Sequence, residues 1–307
     1  MAERSIILAL DYGGTKHSAA VAAKGEKTWL AHERIFSPPG ADAAYDKAAM
    51  LKLARGLLAR VEGRLVAVGV SFGGAADGRT GTVKLSHHVL GWENTPLREQ
   101  LETEFKVPAA VDNDAHVAGL GEYKFGAGKN CKSLFYVTVS TGIGGGWILD
   151  GKIFHGADGM AGQIGHVVVN PGGAECVCGK RGCLEAEACG RGIEAKMRGR
   201  LGKNAPQDLT GKSVASAALK GDPVAQELMD DAARMLGIGL GGAINLMNPE
   251  RVVLGGGVTK SGERWWKVVR ETARFNVLPE MRVDIQPAAL GDDAPLWGAI
   301  ALTEPLL

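Results

Sequence analysis

The chain of 307 residues carries 35 Lys+Arg against 34 Asp+Glu, a net charge of +1. No broad electrostatic field therefore selects nucleic acid or an anionic membrane, and a small molecule or a protein is the expected partner. Hydrophobic residues at 45% and charged residues at 22% leave little room for extensive disorder. Glycine accounts for 45 residues, about twice its usual ~7% and without a G-X-Y period, which predicts many tight turns and close backbone approaches. No apolar run nears the ~20 residues of a membrane span, and the opening Met1-Ala2-Glu3-Arg4 leads into strand-like sequence rather than a signal peptide, so the cytoplasm is expected.

Residues 5–10 form a short apolar run ending at Asp11, followed by the Gly13-Gly14 turn and a second strand-length run over 18–23. This predicts a β-hairpin with a Gly-rich tip, which residues 27–34 extend by a third strand. The spacing of Met50, Leu53, Leu57 and Val61 predicts an amphipathic helix over 43–61, delivering the chain to a buried strand at 65–70. A helix over 97–105 and a strand over 107–111 follow. The device then repeats: a strand at 133–139, a glycine-rich tip at 142–146 and a returning strand at 147–149. Such a duplication predicts two related α/β lobes facing each other across a cleft. Helices are expected within 215–219, 223–248, 265–272 and 295–303, with a buried strand at 251–254 running into Gly255-Gly256-Gly257. The polar stretch 202–212 is the candidate mobile excursion.

Asp11-Tyr12-Gly13-Gly14-Thr15-Lys16 places a carboxylate at a strand end and two glycines in the turn. Amides left uncovered by glycine can bind phosphate oxygens, and the acid can hold Mg²⁺ through water; a plain hairpin turn is the alternative. Ser140-Thr141-Gly142-Ile143-Gly144 repeats the arrangement, and Gly256-Gly257 offers a third close approach suited to an adenosine. Neither loop is a Walker A or a Rossmann fingerprint. Asp114, after Asp112-Asn113, opens a predicted helix. It is either an N-cap or a general base that takes a proton from an attacking alcohol, with Asn113 orienting the same substrate.

His166 precedes Cys176-Val177-Cys178-Gly179-Lys180-Arg181-Gly182-Cys183 by ten positions. One imidazole and three thiolates are the ligand set of a closed, structural tetrahedral zinc site, which would hold Glu185 and the free nitrogen of His166 in place. Cys131 and Cys189 lack such company and read as core residues, as does Trp92, while Trp265-Trp266 reads as core or subunit interface.

Taken in order, the Asp11–Lys16 loop, Gly91-Trp92, Asp112-Asn113-Asp114-Ala115, the Thr141–Gly146 loop, Gly165-His166 and the Cys-x-Cys-Gly-x-x-Gly-Cys-x-Glu string resemble the ROK family of sugar kinases and sugar-responsive repressors. The resemblance implies an α/β, two-domain actin-like ATPase (ribonuclease H-like) fold with a duplicated βββαβα unit and an interdomain cleft. It implies a small domain over 1–117 completed by a helix at 295–307, and a large domain over 118–294. It further implies ATP-dependent phosphorylation of a hexose, glucose first, with Asp114 as base, Mg²⁺ accompanying ATP and zinc as structural metal. Sugar contacts would come from Gly74, Ser86, Asn113, Asp114, Gln163, His166 and Glu185. Nucleotide contacts would come from Asp11, Gly13, Gly14, Thr15, Lys16, Thr141, Gly142, Gly144, Gly256 and Gly257.

Two positions depart from the family pattern: Gln163 stands where a Glu is common, and His87-His88 where Pro-Asn is common. Both bear on which hexose, or which N-acetylhexosamine, is used. A repressor would need a DNA-reading head, and only ten residues precede Asp11, so an enzyme is the expected class. A homodimer or higher homo-oligomer is expected.

Overall fold

Seven strands and three helices lead the chain to residue 125 in the computed structural model, which describes residues 3–86 and 89–307. The order is β1 (Ser5–Tyr12), β2 (Lys16–Ala23), β3 (Trp29–Phe36), α1 (Ala43–Leu58), β4 (Arg64–Phe72), β5 (Ala75–Asp77), β6 (Thr82–Leu85), α2 (Leu97–Phe105), β7 (Ala109–Asn113) and α3 (Asp114–Phe125). There follow β8 (Ser133–Val139), β9 (Ile143–Leu149), β10 (Lys152–Phe154), α4 (Leu184–Ala188), α5 (Gly190–Leu201), α6 (Gly211–Leu219) and α7 (Pro223–Met247). The chain closes with β11 (Arg251–Gly255), α8 (Glu263–Phe275), β12 (Ile285–Pro287) and α9 (Ala294–Leu302). His87 and His88 lie outside the described residues. Among the described residues no helix is long and apolar enough to cross a membrane.

The first sheet runs β3-β2-β1-β4-β7 and the second β10-β9-β8-β11-β12, the same order counted from each opening strand. In the first, β2 is antiparallel to β1 and β3, while β4 is parallel to β1 and β7. In the second, β10 is antiparallel to β9, and β11 is parallel to β8 and β12. The duplication read from the two glycine turns is thus a duplication of topology. β1 and β2 are buried along nearly their whole length, as continuous apolar runs in a covered sheet require. β3, carrying His32, Glu33 and Arg34, is the half-exposed edge.

Contacts divide the chain into two units: Met1–Asn130 with Gly146–Ala161 and Asp292–Leu307, and Cys131–Gly145 with Gly162–Gly291. The core of the first gathers Leu8 and Leu10 of β1, Met50 and Leu57 of α1, Val70 and Phe72 of β4, and Trp92. Trp92, fully buried, meets Tyr12 and Phe72 edge-on, which makes it a packing anchor. In the second unit α7 starts on an Asp222 cap with Pro223 in its first turn and packs along α8, whose Trp265 and Trp266 are core residues. The polar stretch expected to be mobile is tied down: Arg198 donates to the carbonyls of Pro206, Gln207 and Leu209 at 2.9–3.2 Å.

Candidate active site

In the first unit the strand ends collect the polar residues. Asp11 ends its buried run beside β4 and accepts a hydrogen bond from Ser71 Oγ at 2.8 Å. Burial pushes its carboxyl up, and the Ser71 bond and the Lys16 charge oppose that shift. In the following turn the Gly13 amide donates to the Lys16 carbonyl at 3.1 Å, and a Cβ at Gly13 would stand 2.7 Å from that oxygen. The expected picture of uncovered amides therefore needs correction at Gly13, whose N–H closes the hairpin. Gly14, Thr15 and Lys16 complete the turn, with Lys16 Nζ 3.8 Å from the exposed Asp292 carboxylate.

Asn113 and Asp114 stand where β7 becomes α3. The N-cap is Asn113, not Asp114: its Oδ1 accepts from the Ala115 and His116 amides at 3.0 and 3.3 Å, a cap contributing about 1 kcal/mol. Its Nδ2 donates to the Gly74 carbonyl and to Asp114 Oδ1, each at 3.0 Å. Asp114 Oδ1 also accepts from the Ala115 amide at 2.8 Å. Relieved of capping, Asp114 is half-buried, and desolvation together with the Asp11 charge pushes it up to about 6. Gly74 and Asn113 are thereby joined, and Ser86, whose Oγ accepts from the Val89 amide at 3.2 Å, stands just beyond β6.

In the second unit Glu185 links two expected groups. Its carboxylate accepts from the Ile143 amide at 2.9 Å, directly after Thr141 and Gly142. Gly165 packs so closely on the Ile143 carbonyl and Glu185 Cβ that a side chain there would collide. β9 starts at Ile143, so Gly144 is a strand residue rather than part of an open tip. Gly256 lies against the Val139 carbonyl at the end of β8, and Gly257 has open space where a side chain would be. Gln163 is exposed, precedes the short helical turn Ile164–His166, and makes no capping bond with its side chain.

The four expected metal ligands converge. The ligand atoms of His166, Cys176, Cys178 and Cys183 all lie within 4.8 Å of one another. The Cys178–Cys183 sulfurs are 3.6 Å apart and Cys176 Sγ is 3.7 Å from His166 Nδ1, against edges of about 3.5–3.8 Å for a tetrahedron with zinc–ligand arms of about 2.0–2.3 Å. Backbone bonds between Cys176 and Lys180, and between Gly179 and Cys176, fold the knuckle. Gly182, with φ of +75°, passes so close to the Asn170 carbonyl that any Cβ would clash. Burial and the neighbouring Cys178 and Cys176 thiols push Cys183 up to about 12, so a thiolate here calls for a cation among the sulfurs. The residues present fit a tetrahedral soft-metal site.

Sequence reasoning missed two clusters. Glu187, buried, accepts from Lys196 Nζ and the Ala174 amide, each at 2.7 Å, and so braces the loop ahead of the cysteines. Buried Asp112 and His116 form a second group with the half-buried His155 in the first unit. The only signal for the latter was the placement of Asp112 and His116 two residues to either side of Asp114.

Two sheets of one strand order, each opening on a glycine-turn hairpin, define an α/β protein of the actin-like ATPase fold. The chain belongs to the ROK family, whose model matches residues 7–305. It is 39% identical over 250 residues to a glucokinase of Halalkalibacterium halodurans, covering 76% of this chain and 74% of that one. A ROK family glucokinase of Streptomyces griseus, solved with glucose and AMPPNP, superposes with a TM-score of 0.83 at 32% identity, over 97% of this chain and 98% of the other. A xylose repressor of Caldicellulosiruptor bescii is 32% identical over 250 residues, 78% of this chain but 62% of the repressor.

Proposed function

We propose that the protein is an ATP-dependent hexose kinase, with glucose as first substrate and the 6-hydroxyl as acceptor. Kinship with glucokinases supports sugar phosphorylation by ATP. The observation within this chain that carries the reading is Asp114: a half-buried carboxylate freed from capping by Asn113 and raised to about 6. Such a group is ionised at neutral pH yet basic enough to accept a hydroxyl proton in the transition state.

The two bonds from Asn113 and Ala115 both fall on Oδ1, and in this reading Oδ2 takes the proton. The sugar oxygen then bonds to the γ-phosphorus while the bond to the departing ADP oxygen breaks. Asn113 and Gly74 set the orientation of Asp114, and Ser86, Gln163, His166 and Glu185 supply further sugar contacts. The hairpin Asp11–Lys16, the Thr141–Gly144 segment and Gly256-Gly257 hold the nucleotide, whose charge Mg²⁺ offsets. His166, Cys176, Cys178 and Cys183 hold zinc, which supplies structural rigidity to the segment from His166 to Glu185.

A screen of labelled ATP against hexoses and N-acetylhexosamines tests this. Transfer to glucose at least as fast as to any other sugar supports the reading. Preference for an N-acetylhexosamine would move the substrate to that alternative, to which Gln163 is chemically suited because its amide can donate as well as accept. The kinship with a repressor supports a second reading as a sugar sensor. Sugar binding without phosphoryl transfer to any sugar would favour it.

A further inference from the structure

The base is flanked by charge that neither the hairpin turns nor the metal knuckle uses. Asp112, 1% exposed, is the next-to-last residue of β7, two before Asp114. Its Oδ1 lies 3.1 Å from His116 Nδ1 and its Oδ2 lies 2.6 Å from His155 Nε2. The other ring nitrogen of His116, Nε2, lies 2.9 Å from the Ala161 carbonyl. Both nitrogens of this buried ring thus face acceptors. A neutral imidazole donates from one nitrogen only, so it would set a lone pair against an oxygen; the imidazolium satisfies both.

Asp112 is not a source of the missing proton. Its Oδ1 also accepts from the Asn113 amide at 2.7 Å. Burial pushes its carboxyl up, but the bonds and charges of His116 and His155 outweigh that and hold it below the ordinary range. For His116 burial works downward, and the bond and charge of Asp112 with the Ala161 carbonyl and the Asp114 charge carry it upward overall. The three side chains bring ligand atoms within 4.8 Å of one another, yet those atoms are committed to one another, and Gly78 closes so tightly on Asp112 Oδ2 that a Cβ would collide.

We propose that His116 is a fixed imidazolium, paired with Asp112 and buttressed by His155, and that it acts as a positioning residue keeping Asp114 in its charged, proton-accepting form. The second half of this statement rests on the reading of Asp114 as the base. The charged groups facing Asp114 are Asp11 on β1, which favours its protonation, and His116 on its own helix, which opposes it. Around them, β7 offers Asp112 and the segment after β10 offers His155, while Lys152 of β10 is exposed. The packed helix α9 has no titratable side chain, and the Arg64 of β4 stands at the far end of its strand. His116 is therefore the cation set against two carboxylates. It also ties the base-bearing helix to the 155–161 segment, whose carbonyls at Ala157 and Asp158 receive Arg79 and Lys84.

The direct test uses the intact wild-type protein with ¹⁵N-labelled histidine. The ring resonances lost in His116→Gln should show the imidazolium pattern throughout pH 5.5–8, a range set around the ordinary value of about 6.5. A neutral-tautomer pattern at pH 7.5, one unit above that value, overturns the proposal whatever the enzyme's activity. The kinetic arm compares His116→Asn, which keeps a donor for Asp112, with His116→Gln, which keeps one for Ala161. Neither carries charge. In both, the acidic limb of kcat/KM should move upward by about 0.5–1 pH unit, as loss of a nearby opposite charge demands, with kcat at neutral pH falling more than KM changes. A limb unmoved in both variants means the ring is only a structural strut and overturns the charge role. A wild-type profile with no acidic limb instead refutes Asp114 as base, a failure distinct from that of the imidazolium, which the spectra decide alone.

Discussion

The two glycine-turn hairpins open sheets of the same order, but their surroundings differ in kind. The turn between β1 and β2 follows Asp11, and Asp114 is raised by its own desolvation and by that carboxylate. The turn between β8 and β9 is braced by Glu185, a carboxylate bonded to the Ile143 amide and carried on the helix that follows the cysteine knuckle. One acid is desolvated beside like charge and its carboxyl is raised; the other ties the first residue of β9 to the helix after the cysteines. A duplicated frame thus supplies two turn positions with different surroundings, and under the proposed function the first bears the proton chemistry and the second the rigidity.

The contrast breaks most sharply at Asp114. Asp114→Asn keeps size and the bond to Ala115 out of the question of charge, and kcat should fall by about 10²–10⁴ while sugar binding by calorimetry changes little. Retention of more than roughly a tenth of kcat would remove Asp114 from the role of base.

On the second half the expected loss is of stability rather than of chemistry. Metal analysis should find about one zinc per chain, and Cys178→Ser should lower it. A deficit of about 3 kcal/mol would lower the melting temperature by about 6–12 °C. A metal-free wild-type protein of unchanged melting temperature would show that the knuckle stands on its own hydrogen bonds. The smallest effect is at Gln163. A carboxylate there would accept charge-assisted bonds from sugar hydroxyls, so Gln163→Glu should improve kcat/KM for glucose about 10-fold relative to other hexoses, or ~1.4 kcal/mol. Uniform change across all sugars would place Gln163 outside the specificity-determining contacts.

Much of this arrangement was legible in the chain itself. Continuous apolar runs gave β1, β4, β8 and β11, because strands covered on both faces need no alternation. The repeat of strand, glycine turn and returning strand exposed the duplication, and the cysteine spacing exposed the side chains that converge in the knuckle. The short β5–β6 hairpin and β12 left no period to read. Helices α4, five residues long, and α5, rich in glycine and charge, are stabilised by packing against α7, which local propensity does not report. The site was legible where residues are close in sequence. Asp112 and His155 are 43 positions apart, and only the tertiary fold brings their side chains together. Likewise the sequence offered Asn113 as a substrate-orienting residue but did not show that its side chain also caps α3 and bonds to Asp114.

The pH dependence of kcat/KM for glucose in the wild-type enzyme tests the central claim most directly. Asp114 lies near 6 in the folded protein, above the ordinary carboxylate value of 3.8, and under the proposed function the reaction needs its charged form. Activity should therefore be level above neutrality and fall about tenfold per pH unit once the pH drops below about 6, a limb absent from Asp114→Asn. A limb near 4 in a stably folded enzyme would mean that the base is an ordinary exposed carboxylate, and would contradict the account.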